Sequence, residues 1–173
     1  MSGIIGLSPN MKSGVLGKYP TGHVLQVKGD NVSPAAPHAL STSGIRPYGT
    51  NLQVTMKCAS TSNKLFLSAT VPGIANDGLA GASLFAGFRY TTDNWVGVDA
   101  NLGLKAYVIL YHVYIGSSTD LLSNASFSEF TAVPTTSEMV IQLYMKGSNA
   151  LKIHNNTDAN GAVAVLTVME IQG

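Results

Sequence analysis

Apolar and polar side chains alternate along most of this chain, and residues 52–58 (Leu-Gln-Val-Thr-Met-Lys-Cys) alternate at every step. A period of two is typical of a β-strand, because successive side chains of a strand point to opposite faces of its sheet. The pattern predicts strands near residues 23–29, 37–43, 52–58, 63–71, 83–91, 94–99, 105–115, 124–131, 138–146, 149–154 and 162–172.

Turn-forming residues separate these segments, for example at 34–37, 46–49, 76–78 and 160–161. Many short strands at this spacing predict an all-β fold. We expect an antiparallel, jelly-roll-like β-sandwich formed by residues 23–173.

The apolar members of the alternating strands define the predicted core, because the buried face fixes the register of such strands. We expect there Leu52, Val54, Met56, Leu65, Leu67, Met139, Ile141 and Leu143. Cys58 falls on the same side of its strand as Leu52, Val54 and Met56, which indicates a buried thiol. As the single cysteine it cannot form a disulfide within the chain, which fits assembly inside a cell.

Two predicted strands, within residues 105–115 and 162–171, are largely apolar on both of their faces. An antiparallel sandwich covers only one face of each sheet. The second face must therefore meet either a loop or another subunit, and we favour a subunit. Burying such a face stabilises an assembly by roughly 25 cal/mol per Å² removed from water. We predict a homotrimer.

Residues 1–22 form a separate segment that contains five glycines and two prolines and lacks sustained alternation. One interpretation is a disordered tail. However, disordered tails are usually polar and charged, whereas this segment is rich in apolar side chains. The alternative is an anchoring arm, whose partner-binding residues are expected to be Ile4, Ile5, Leu7, Val15, Leu16 and Tyr19.

Charged residues make up only 11 % of the chain, against roughly 25 % in an average domain. The net charge is +1 and the sequence pI is about 7.9, so no strong field is present to hold nucleic acid. No apolar run approaches the roughly 18 residues of a membrane span, and the N-terminus does not read as a signal peptide. We expect neither nucleic acid nor membrane as a partner.

The sequence offers little sign of catalysis or metal binding. His23, His38, His112 and His154 are scattered without a metal-ligand spacing. No nucleophile elbow, phosphate-binding loop or calcium loop is present. We expect no enzymatic activity, no cofactor and no metal.

One group of residues suits a sugar ligand. Asp93 and Asp99 flank the single tryptophan, Trp95, and an exposed tryptophan beside an acid is a common sugar contact. The alternative is that Trp95 covers a hydrophobic core.

Several segments resemble a group of small jelly-roll proteins encoded by marine and other tailed bacteriophages. Residues 22–27 (Gly-His-Val-Leu-Gln-Val) and 61–67 (Thr-Ser-Asn-Lys-Leu-Phe-Leu) resemble the opening of that group, and residues 85–90 (Phe-Ala-Gly-Phe-Arg-Tyr) resemble a strand that ends in arginine. The close is similar too, with Val-Pro-Thr-Thr-Ser at 133–137 and Leu-Thr-Val-Met-Glu-Ile at 166–171.

The resemblance implies a bacteriophage virion structural protein that is assembled in the host bacterial cytoplasm. Such proteins are labelled tail fibre or virion proteins, and related sandwiches form trimers on capsids or fibre tips. The absence of a fibre shaft favours a capsid decoration or cement protein, with the major capsid protein or another virion protein as its partner. The alternatives are a receptor- or carbohydrate-binding module of a tail or head fibre and, ranked last, a polysaccharide-degrading spike.

Overall fold

The computed structural model describes residues 21–33, 38–39, 46–48, 52–76, 82–93, 100–102, 108–113, 123–147, 151–153 and 163–173. Within these ranges the chain forms twelve strands and no helix. They are β1 (Val24–Val32), β2 (His38–Ala39), β3 (Arg46–Pro47), β4 (Gln53–Met56), β5 (Lys64–Asn76), β6 (Ala82–Thr91), β7 (Ala100–Leu102), β8 (Val108–Val113), β9 (Ser123–Ala132), β10 (Met139–Gly147), β11 (Leu151–Ile153) and β12 (Ala164–Ile171).

The strands form two sheets in which every pairing is antiparallel. In the first sheet the long strands lie in the order β1-β12-β5-β9, and β11 and β2 continue from the far end of β5. In the second sheet β10 pairs with β6 on one side and with β4 and β3 on the other, and β6 pairs in turn with β8 and β7.

This strand order is that of a jelly roll, in which two Greek keys fold together. Of the eight long strands, the first, eighth, third and sixth form one sheet, and the second, seventh, fourth and fifth form the other. The predicted all-β, antiparallel, jelly-roll-like sandwich is confirmed.

The hydrophobic core fills the space between the two sheets. All eight predicted core residues are buried, with Leu52, Leu65, Leu67, Met139, Ile141 and Leu143 completely inaccessible. Cys58 is buried as well, as its place in the alternation predicted. In β12 one alternating set faces this core, namely Ala164, Leu166 and Val168.

The structure differs from the predicted strands in a few places. Residues 46–49 were expected to form a turn, but β3 lies there and pairs with β10, because Pro47 occupies a sheet edge where a missing N–H costs nothing. Tyr48, next to it, is fully buried. β5 extends past the predicted end to Asn76, through a bulge at which Gly73 adopts a positive φ of 65°.

The two ends of the described domain meet at one edge of the first sheet. Gly22, with a φ of 85°, donates its N–H to the carbonyl oxygen of Gln172, and Gln172 donates to His23. The sandwich therefore begins at this turn. The predicted arm, apart from Thr21 and Gly22, lies outside the described residues, as do the strand predicted at 94–99 and the turns predicted at 34–37 and 160–161.

Candidate functional site

The outward face of the first sheet carries a row of apolar side chains that crosses four strands. Val27 of β1 pairs with Met169 of β12, Met169 pairs with Phe66 of β5, and Phe66 pairs with Phe130 of β9. Direct partners in a sheet share a face, and Met169 and Phe66 each lie between two buried residues of their strands. The sequence positions are far apart, so only the strand pairing brings the row together.

This face is open to solvent. Val27 is 55 % exposed and Phe130 is 60 % exposed. In the part of the chain that the structure describes, five large apolar side chains are exposed. Four of them lie on this side of the sheet, namely Val24, Val27, Phe130 and Val165, and the fifth, Val163, directly precedes β12. Scattered exposed apolar residues are normal in proteins, whereas their concentration on one face marks an interaction surface.

The same face is almost free of charge. We call it the uncharged face and define it by its outward residues: Val24, Val27, Gly29 and Asn31 of β1; Phe66, Ser68 and Thr70 of β5; Asn124, Ser126, Ser128, Phe130 and Ala132 of β9; and Val165, Thr167, Met169 and Ile171 of β12. Among the described outward positions of these strands, Lys64, at one end, is the single charged residue.

The hydroxyl groups of the uncharged face lie in two rows beside the apolar row. Thr167, Ser68 and Ser128 form the nearer row. In the next row the hydroxyl groups of Thr70 and Ser126 bond to each other at 3.1 Å. Because these two groups already have partners, covering them with protein costs less than covering isolated hydroxyl groups.

The aromatic pair on the uncharged face is not a flat platform. The rings of Phe66 and Phe130 have centroids 4.9 Å apart and are tilted by 48°. A sugar ring stacks on a flat aromatic surface, whereas a tilted pair presents edges and grooves that aliphatic and aromatic side chains fill. The pair therefore offers no continuous flat surface of two rings.

The outward face of the second sheet has different chemistry. Gln53, Gln142 and Arg89 form a row across β4, β10 and β6, and the Arg89 guanidinium lies 4.8 Å from the ring centroid of Tyr144. Lys146 lies 5.6 Å from the ring centroid of Phe85 on the same face. This face is polar but shielded, since Gln142 and Tyr144 are each buried.

A buried carboxylate lies at one end of the sandwich. Glu170 of β12 is completely inaccessible and accepts hydrogen bonds from Gln26 Nε2 at 2.6 Å, Asn63 Nδ2 at 2.6 Å and the Ala59 N–H at 2.8 Å. We call this arrangement, together with the Ser60 backbone, the Glu170 network. It joins β1 and β12 to the loop between β4 and β5.

Asn63 extends the Glu170 network to two further segments. Its backbone oxygen accepts the N–H of Val133, which follows β9, and its side-chain oxygen accepts the N–H of Gly173. Gln26 Nε2 also donates to the carbonyl oxygen of Lys57. Each of these bonds is internal, so the Glu170 network is suited to holding loops in place rather than to binding a ligand.

The pKa values of two buried groups reflect this packing. Burial acts to raise the pKa of Glu170, but the hydrogen bonds from Asn63, Gln26, Ala59 and Ser60 outweigh it and lower the pKa below its usual value. Burial, and then the negative charge of Glu170, raise the pKa of Cys58 to about 12. Glu170 is therefore ionised and Cys58 is a neutral thiol at neutral pH.

The residues singled out in the sequence as ligand contacts are only partly described. Asp93 is exposed, and its carboxylate accepts a short hydrogen bond from the Thr91 hydroxyl. Trp95 and Asp99 lie outside the described residues, and so do the arm residues Ile4, Ile5, Leu7, Val15, Leu16 and Tyr19. Their predicted roles stay predictions.

The sequence analysis found that the strand within residues 162–171 is apolar on both faces, but it missed the apolar row across four strands and the Glu170 network. A signal for each was present in β12. Val163, Val165, Met169 and Ile171 share the alternating set that faces away from the core, and Glu170 belongs to the buried set with Leu166 and Val168. An acid in the buried set of a strand indicates a partnered carboxylate.

Among the described residues, no group of three or more His, Cys, Asp or Glu side chains is placed to hold a metal ion. In the same ranges, no helix of sufficient length and apolar character to cross a membrane occurs.

Comparison with known proteins yields likenesses to solved structures. No protein-family model matches the chain, and no curated protein matches it. The chain is similar to the CBM22-1 xylan-binding domain of Paenibacillus barcinonensis Xyn10C, with a TM-score of 0.33 and 9 % sequence identity over 90 % of this chain and 99 % of that domain. A likeness at this level carries no argument about function.

Proposed function

We propose that this protein is a structural subunit of a larger assembly, and specifically a bacteriophage virion protein that decorates and stabilises the capsid. The observation that supports an assembly role is the uncharged face, which gathers four of the five exposed large apolar side chains of the described residues on one side of the sandwich. The virion role in this proposal rests on the resemblance of the sequence to phage jelly-roll proteins.

The physical argument rests on desolvation. Burying a charged side chain in an interface costs much free energy unless a partner compensates it, whereas burying apolar and self-bonded hydroxyl groups costs little. A face with Lys64 as its single described charge loses little on contact and gains the hydrophobic term. The composition of this face therefore favours association with another protein surface.

Within this proposal, residues 1–22 attach the sandwich to the major capsid protein or to another virion protein. Fixing such an arm costs about 1–2 kcal/mol of conformational entropy per residue, so its apolar side chains must enter pockets on the partner. The homotrimer predicted from the sequence is retained as part of the proposal.

The proposal is tested by counting copies of the protein in purified particles of the phage that encodes it. Quantitative mass spectrometry against the major capsid protein should give hundreds of copies per particle for a decoration protein. A few copies per particle would indicate a fibre tip, and absence from the particle would contradict a virion role.

The role of the arm is tested by deleting residues 2–17. The truncated protein should keep the β-sheet circular dichroism of the full chain, since the described sandwich begins at Thr21 and Gly22. It should fail to bind particles that lack the protein, whereas the full chain should restore normal occupancy. Normal occupancy with the truncated protein would show that attachment lies on the sandwich instead.

A second candidate function is carbohydrate recognition by a fibre module. It is favoured by the row Gln53, Gln142 and Arg89 beside Tyr144, because amides, a guanidinium and an aromatic ring are the groups that bind sugars. The burial of Gln142 and Tyr144 leaves little of that row for a ligand. Binding to a glycan array that is lost in Arg89→Ala would favour this function over the first.

A further inference from the structure

We propose that the uncharged face packs against the same face of a second copy of this chain, across a two-fold axis that runs parallel to the strands. This inference deepens the proposed function, on which it rests, by naming the partner of the uncharged face. The partner is chosen by the charge, the area and the arrangement of the rows on that face.

The lack of charge permits pairing with a second copy and disfavours a charged partner. Two copies of a charged face repel each other, and a charged partner gains nothing from a neutral surface. The uncharged face carries Lys64 alone, at one end, so two copies meet without repulsion and without unpaired buried charge. The net charge of +1 on the whole chain adds little long-range repulsion between copies.

The order of the rows fixes the direction of the axis. An axis parallel to the strands and centred between β12 and β5 keeps each row opposite the same row of the second copy. Val27 then lies opposite Phe130 of the second copy, and Met169 lies opposite Phe66. An axis across the strands through the centre of the face would instead place the apolar row opposite hydroxyl groups.

The same arrangement leaves the charge of Lys64 at the end of the interface. Lys64 lies opposite Ile171 of the second copy, at the end of the face, and not opposite the other Lys64. Its ammonium group can reach solvent there while its methylene groups cover the isoleucine. The contact is isologous, so each pairing occurs twice.

The area of the face sets the strength of the contact. Four strands about 4.8 Å apart, over the paired length of β5 and β12 at about 3.4 Å per residue, cover about 450 Å². Two such faces bury on the order of 1,000 Å², near the lower limit for a specific interface. Much of the affinity therefore depends on Phe130 and Val27, the most exposed apolar residues of the row.

Sedimentation velocity on the purified full chain tests the pairing. We expect an even number of copies: two, or six if the predicted trimer forms through the other strand that is apolar on both faces, within residues 105–115, and pairs through this face. Phe130→Lys and Val27→Lys should each weaken the pairing about thirtyfold, as expected when a large apolar residue of an interface is replaced by a charged one. Thr136→Lys, which adds the same charge at an exposed loop position, should leave the pairing unchanged.

Cross-linking tests the direction of the axis. We expect a mixture of Val27→Cys and Phe130→Cys proteins to be joined by a bis-maleimide shorter than the roughly 14 Å between β1 and β9. Neither variant alone should be joined. Cys58 is buried with a raised pKa and can stay in place.

Every outcome bears on the inference. A monomer at high micromolar concentration, or an assembly whose size is unchanged in both lysine variants, would overturn the pairing. Cross-linking of Val27→Cys with itself would overturn the axis. These results concern the purified protein, so they are distinct from the copy number in particles: a monomer found in hundreds of copies per virion would refute this inference and leave the proposed function standing.

Discussion

Replacing Glu170 by glutamine tests whether the buried carboxylate holds the loops at its end of the sandwich. Glutamine keeps the shape of the side chain but replaces one acceptor oxygen with an NH₂ group. Glu170 Oε1 accepts from Asn63 and Ala59, and Oε2 accepts from Gln26. Whichever oxygen is lost, the new NH₂ group faces a donor.

The expected loss of stability follows from these contacts. A hydrogen bond to a charged group contributes about 1.5–3 kcal/mol, and a buried donor left without a partner costs about 1–3 kcal/mol. Since Glu170 is completely buried, water cannot replace the lost acceptor. We expect Glu170→Gln to lower the free energy of unfolding by about 3 kcal/mol, or the melting temperature by about 6–12 °C for a chain of this size.

The assay is urea unfolding of both proteins followed by circular dichroism, with Glu138→Gln as the control. Glu138 is exposed, and its replacement makes the same change in charge, so its effect should stay within about 0.5 kcal/mol. A loss of less than 1 kcal/mol in Glu170→Gln would refute the argument that the network is a strong restraint.

The pH dependence gives a second check on the same variant. The native pKa of Glu170 is lowered, so its contribution is fully present above the unfolded value of about 4.3 and is lost as the pH falls through the native pKa. Glutamine does not titrate. The stability gap between the two proteins should therefore be constant from about pH 5 to 8, and it should narrow as the pH falls from about 4 through the lowered native pKa. A gap that widens as the pH falls below about 4 would contradict the lowered pKa.

Three further predictions follow from the core, the thiol and the uncharged face. Leu143→Ala, in the completely buried set of β10, should lower the free energy of unfolding by about 2–5 kcal/mol in urea unfolding, and an effect as small as that of Thr136→Ala would contradict its place in the core. Cys58, with its pKa raised to about 12, should resist alkylation at pH 8 in the native protein and react fully in denaturant, as measured by mass spectrometry; alkylation without unfolding would contradict its burial. Self-association through the uncharged face should change little between low and high salt in sedimentation, because no ion pair is needed there, and a strong fall with salt would point to a charged interface.

The sequence predicted the fold class and which side of several strands faces the core. Alternation in residues 52–58 placed Val54 and Met56 in the core, and the same reasoning was right for β5 and β10. This succeeds because a strand with one buried face must repeat every two residues. It failed at β3, whose two residues are too short to show any period.

The sequence could not predict which strands are neighbours. β1 pairs with β12, more than a hundred residues later, and β5 lies between β12 and β9. Alternation states which side of a strand is apolar but not what lies beside it. The row from Val27 to Phe130 depends on four strands in one register, so it became visible only with the pairing.

The same limit explains the Glu170 network. Its donors come from β1 and from the loop before β5, and the bond from Gln26 to Glu170 spans 144 positions. What the sequence did contain was a carboxylate in the buried set of β12, between Val168 and the end of the chain. That position alone required partners, although it did not name them.

The buried Glu170 and the apolar outward side of β12 both reduce the number of charged groups on the surface of this domain. One of its three glutamates lies in the interior, where it holds loop backbone, and is therefore unavailable to keep the surface hydrated. The opposite side of the same strand offers Val165, Met169 and Ile171 to a sheet face that has almost no charge of its own. Surfaces that remain exposed to solvent usually mix charges of both signs, because a low net charge and apolar patches promote association. In the assembly that we propose, this outward side of β12 becomes covered by the second copy, whereas its carboxylate stays in the interior.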